Sequence, residues 1–164
     1  MHNTHITQIE NKLSVFLDSL VQELEETKRV QDYEKQLLDK MINTMIDRLA
    51  NAKLPKERTL AFVTNIPLGQ GWEDRYYLET DKEGKLTLTI VHWNIHSPWN
   101  YRCYETICDI EKIKEEMKKL VKTVEDFKKV VKDLADNVKA MSKYAKSRYK
   151  ALVTLAKNFN QLFS

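Results

Sequence analysis

From Asp109 to Ser164 the apolar residues return every seven positions. One row is Ile110, Met117, Val124, Val131, Val138, Ala145, Leu152 and Phe159; the other is Ile113, Leu120, Phe127, Leu134, Met141, Arg148, Leu155 and Leu162. Only Arg148 departs from this seam, and neither Gly nor Pro interrupts the segment, so the pattern predicts helix with coiled-coil character. Asp109 is the expected N-cap, its carboxylate accepting from an unpaired amide of the first turn. Unbroken, such a helix would run ~80 Å at ~1.5 Å per residue. Asp136-Asn137 has the weakest helix propensity and is the expected bend. Val121, Val130, Ala135, Tyr144, Tyr149, Ala151 and Ala156 widen the apolar stripe, which favours packing against more than one neighbour.

Residues 4–50 are likewise free of Gly and Pro. Thr7-Gln8-Ile9-Glu10 has capping-box spacing and predicts a helix start there. Leu13, Phe16, Leu17, Leu20, Val21 and Leu24 form one apolar face, and Leu37, Leu38, Met41, Ile42, Met45, Ile46 and Leu49 another. Between them Glu25 to Gln36 offers only Val30 and Tyr33. The segment reads either as one long helix with a polar waist or as two helices joined near Thr27–Gln31. Leu54-Pro55 ends the helical region, because proline restricts its predecessor and lacks an amide donor.

Residues 58–107 change character. They hold all three Trp and all three Gly, and alternating runs predict strands over 59–65, 75–80, 85–94 and 101–107. Asp81-Lys82-Glu83-Gly84 reads as a hairpin loop, Gly84 supplying the positive φ that such loops use. The expected fold is therefore α+β: a long-helix bundle or coiled coil, from an N-terminal arm (1–54) and a C-terminal arm (109–164), capped by a central antiparallel sheet of three to four strands (58–107), all in one domain. In outline this layout resembles that of prefoldin subunits, where two long helices flank a β-hairpin region.

Composition narrows the classes. With 164 residues, three Gly and three Pro, the chain is neither collagen-like nor a loop-rich scaffold. Cys103 and Cys108 are too few for a disulfide framework. No apolar run is long enough to span a bilayer, so a cytoplasmic protein with no membrane partner is expected. The net charge of +3 is unevenly spread: residues 1–57 carry 8 basic and 10 acidic groups, residues 110–164 carry 14 and 7, and no acid follows Asp136. A basic end on a near-neutral chain points to an anionic partner.

Chemistry-bearing motifs are scarce. There is no G-x-S-x-G, no Walker glycine loop and no H-E-x-x-H. Gly69-Gln70-Gly71 stands as an isolated turn signal. His92, His96, Cys103 and Cys108 have the right donors for zinc in a spacing that fits no finger or ribbon. No enzyme activity, cofactor or metal is therefore expected. Two surfaces remain. Trp72, Trp93, Trp99 and Tyr101 are the aromatic candidates for a protein interface. Lys139, Lys143, Lys146, Lys150 and Lys157 fall opposite the apolar seam, with Arg148 on it, and are candidates for nucleic acid or an acidic partner. The expected function is non-catalytic protein–protein interaction, as an adaptor, a chaperone-like clamp or a small inhibitor of the sort that phage and mobile elements carry. A nucleic-acid-binding accessory role is the alternative, and a homodimer or higher oligomer is expected.

Overall fold

The computed structural model describes residues 2–96 and 103–162. Helix α1 (His2–Ala50) leads into strands β1 (Thr59–Gly69), β2 (Trp72–Thr80), β3 (Leu86–Asn94) and β4 (Cys103–Ile107), followed by helices α2 (Ile110–Leu120) and α3 (Val124–Leu162). The sheet is antiparallel throughout with strands in sequence order. The fold is thus the α+β arrangement that the patterning predicts, with long helices at both ends of the chain and a four-stranded sheet between them.

Local differences have physical reasons. The N-terminal segment is one helix and not two, its polar waist crossing residues 25–36 without a break. It begins before the capping box, so Thr7 sits inside it and donates from Oγ1 to the Asn3 carbonyl at 2.8 Å. The C-terminal segment is two helices, and the break falls at Val121-Lys122-Thr123, not at Asp136-Asn137. Val121 leaves the helix to become buried, and the Thr123 hydroxyl starts α3 by accepting from the Asp126 amide at 3.1 Å. Asp109 caps α2, accepting from the Lys112 amide at 3.0 Å. Gly69-Gln70-Gly71 is the tight turn of the β1–β2 hairpin, with all three residues at positive φ.

The sheet has one face on the helices. Leu78, Leu86 and Leu88 meet Leu38, Ile42 and Ile46 of α1, Ile113 and Met117 of α2, and Val130 of α3 in a continuous buried cluster. Spacings of four along α1 and α2 put their residues on one stripe, and each fully buried Leu or Ile contributes about 1.5–3 kcal/mol. Lys114 ties α2 to α1 through Asp47, 2.7 Å away. Helix α3 covers the exposed edge of the sheet. Asp133 accepts from the outward-facing Phe62 amide at 2.7 Å, and Asn137 Nδ2, one turn later, donates to the Leu60 carbonyl at 2.8 Å. An edge strand is a template for aggregation unless covered, and here a helix covers it.

The helices outrun this body. α3 starts beside Glu34, whose carboxylate accepts from the Val124 amide at 3.5 Å. Phe127 then lies against Met41 and Met45, and Leu134 and Met141 reach the level of Leu49 and Leu54. α1 and α3 therefore run in the same sense through the body, and their free ends leave it at opposite ends. Every residue of α1 from 2 to 37 is exposed, a length of ~54 Å at ~1.5 Å per residue.

Candidate functional site

Helical periodicity explains why the arms are apolar as well as exposed. Leu20 and Leu24 lie about five turns before Leu38 and Ile42, so the stripe that faces the core continues in phase onto the arm. The same holds for α3, where Leu134 and Leu152 are about five turns apart. Beyond the body these stripes have nothing beneath them. Leu13 is 53% exposed, Phe16 60%, Leu155 63% and Phe159 57%.

Where the α3 arm leaves the body, its stripe forms one wall of a groove of ≈ 950 Å³. Leu49, Leu54, Pro55 and Leu60 supply the floor, and Val138, Met141, Ala145 and Leu152 the wall. The polar side chains that enter are mainly Arg58 and Arg148, and no carboxylate lines the groove. The Arg148 guanidinium donates to the Tyr144 hydroxyl at 3.2 Å. Seam periodicity revealed the α3 wall and Arg148 as its odd member. The floor was invisible in sequence, because residues 49–60 join residues 134–152 only through the docking of α3 on β1.

Lys139, Lys143, Lys146, Lys150 and Lys157 are all exposed. They lie on the side of α3 opposite the seam, and none makes an ion pair among the described residues. Stripe and groove thus occupy opposite faces of one helix.

The aromatic candidates divide. Trp99 and Tyr101 lie outside the described residues. Trp72 opens β2 and is 37% exposed. Trp93 lies on the sheet face away from the helices, its ring under the Arg75 guanidinium, whose carbon is 3.8 Å from the ring centroid. Arg75 Nε also donates to Glu73 at 2.6 Å. This bond, helped by one from Asn65, holds the Glu73 carboxyl below its ordinary pKa. Phe62 and Tyr77 make a tilted ring pair on that face, centroids 5.4 Å apart. The outer sheet face is therefore knitted together by its own aromatic and charged side chains, a pairing that sequence spacing alone did not reveal.

A small polar cluster sits at the far end of the inner face. His92 Nδ1 is 2.5 Å from Asp74 Oδ1, across the β2–β3 pairing, and its Nε2 is 3.8 Å from Glu105. Burial, reinforced by Asp74, Glu116 and Glu105, raises the pKa of the neighbouring Tyr76 hydroxyl. Among the described residues no group of three or more His, Cys, Asp or Glu side chains is arranged to hold a metal ion. No helix among them is long and apolar enough to cross a membrane. No protein family, curated protein or solved structure matches the chain.

Proposed function

We propose that this chain is a non-catalytic binding protein that works through protein–protein contacts made by its apolar helical arms and the groove at the base of α3. The observation that carries this reading is surface area. The chain exposes 13020 Å², whereas a compact monomer of 19.4 kDa exposes about 8,500 Å². The excess exceeds what a standard protein interface buries in total, about 1,200–2,000 Å². The arms that produce it carry rows of exposed Leu, Ile and Phe side chains, and large exposed apolar patches mark interaction sites. Adaptors, clamps and inhibitors of larger complexes all use such surfaces.

A second reading is favoured by one observation, the row of Lys139, Lys143, Lys146, Lys150 and Lys157 along a single exposed face. A rigid line of ammonium groups suits a phosphate backbone, with steep salt dependence as counterions are released. One experiment addresses both readings. Affinity capture from the source cell, with and without nuclease, is compared for three forms: wild type; Leu152→Gln with Leu155→Gln; and Lys139, Lys143, Lys146 and Lys150 all changed to Glu. The protein reading expects nuclease-resistant capture that the leucine changes abolish and the lysine changes spare. Capture that nuclease removes, together with salt-dependent oligonucleotide binding lost in the four-Glu form, would replace it with the nucleic-acid reading.

A further inference from the structure

We infer that the partner of the α3 arm and its groove is the α1 arm of a second copy of this chain, a proposal that rests on the protein-interaction reading above and narrows it to self-assembly. Three properties of the two surfaces point to this pairing.

The first is length. The apolar stripe of the α1 arm runs from Ile6 to Leu24, ~27 Å at ~1.5 Å per residue. After it comes the polar waist, where only Val30 and Tyr33 are apolar. The open stripe of α3, groove wall included, runs from Val138 to Leu162, ~36 Å on the same rise, long enough to seat the whole α1 stripe.

Charge is the second. The α1 arm, residues 2–37, carries seven carboxylates and four Lys or Arg, whereas residues 142–162 of the α3 arm carry five Lys or Arg and no carboxylate. The groove holds two guanidinium groups, Arg58 and Arg148, without an acid. Glu10 and Glu23 flank the α1 stripe and are exposed. Pairing α1 with α1 would set two acidic helices together, and pairing α3 with α3 two basic ones that carry no carboxylate between them. Only the mixed pairing joins an arm with three more acidic than basic groups to one with five basic groups and no acid, and at the groove itself it sets Glu10 and Glu23 near Arg58 and Arg148; such complementarity selects partners in helix pairs.

The third is continuity. Through the body the α3 stripe already packs beside α1, with Phe127 against Met41 and Met45. The groove opens where α1 ends and the stripe goes on. A second α1 laid along it continues, between copies, a helix pairing that exists within one copy.

The test uses full-length chains and two variants altered only at exposed arm positions. One carries Leu13→Gln, Phe16→Gln and Leu20→Gln; the other carries Leu152→Gln, Leu155→Gln and Phe159→Gln. Light scattering after size exclusion measures mass at micromolar concentration, and far-UV circular dichroism checks that helix content is retained. The expected result is a wild type that self-associates, two variants each at least about 100-fold weaker, and recovery of a two-chain species when the variants are mixed, since the mixture contains one intact α1 arm and one intact α3 arm. Self-association of the α1-arm variant alone would indicate α3–α3 pairing, and that of the α3-arm variant alone α1–α1 pairing; either overturns the inference. Failure of the mixture to recover also overturns it. A monomeric wild type that nevertheless captures a nuclease-resistant protein through Leu152 and Leu155 overturns the inference while leaving the broader binding function standing.

Discussion

The attachment of α3 to the sheet edge decides the direction of the α3 arm, and it depends on two side chains one turn apart. Replacing Asn137 with Ala removes the donor to the Leu60 carbonyl, and replacing Asp133 with Ala removes the acceptor for the Phe62 amide. Neither bond is deeply buried, so water reaches part of what is lost. The Asn137 change should cost about 1 kcal/mol, as for a neutral hydrogen bond, and the Asp133 change about 1.5–2 kcal/mol, because a carboxylate acceptor is the stronger partner. The two should not add. Asn137 Nδ2 also lies 3.4 Å from Asp133 Oδ2, so each removal weakens the anchor of the other. Urea unfolding followed by circular dichroism, at one protein concentration because assembly would shift the midpoint, gives the four corners of the cycle. Both single variants within about 0.3 kcal/mol of wild type, or strict additivity, would refute the view that these side chains clamp helix to strand. The same variants should broaden the groove and weaken arm pairing, since its wall and floor lie on the two elements that the clamp joins.

Two further outcomes follow from the hairpin and the sheet. Gly84 has φ +83°, and a Cβ there would stand 2.6 Å from the Leu54 carbonyl oxygen. Gly84→Ala should therefore destabilise by more than about 1 kcal/mol, read as a lowered thermal midpoint. Asp81 accepts from the Lys85 and Glu83 amides, Lys85 giving the larger effect, and its pKa is lowered; that of Glu73 is lowered as well. A carboxyl whose folded pKa is depressed adds stability above its unfolded value and loses it as pH falls through the folded one. Stability should thus be flat near neutrality and decline from about pH 4.5 downward, less steeply in Asp81→Asn. An unchanged slope in that variant would contradict the assignment.

Much of the fold lay open in the sequence because helix and strand periodicities are local properties. The helical periodicity from Ile110 onward, the alternation of Leu86, Leu88 and Ile90, the Asp109 cap and the Asp81–Gly84 loop each act within a few residues and recur in the structure, whereas the seam is interrupted at 121–123, after which Val130, beside the seam, is buried and Val131, on it, is exposed. Propensity misjudged the break in the C-terminal segment. Asp136-Asn137 is a weak helix site in isolation, yet Asn137 is held in α3 by the Leu60 carbonyl, and the burial of Val121 moves the break forward. A tertiary hydrogen bond and a buried side chain outweighed tenths of a kcal/mol of propensity. The sequence also marked both arms as amphipathic and Arg148 as the exception on its seam. It did not determine which parts of those stripes the chain would cover itself. That depended on α1 and α3 running in the same sense, so that their stripes face a common core only over residues 38–49 and 124–141 and diverge at opposite ends. The groove between Leu54 and Leu152 and the uncovered arms beyond it exist only because of that direction, which no local pattern encodes.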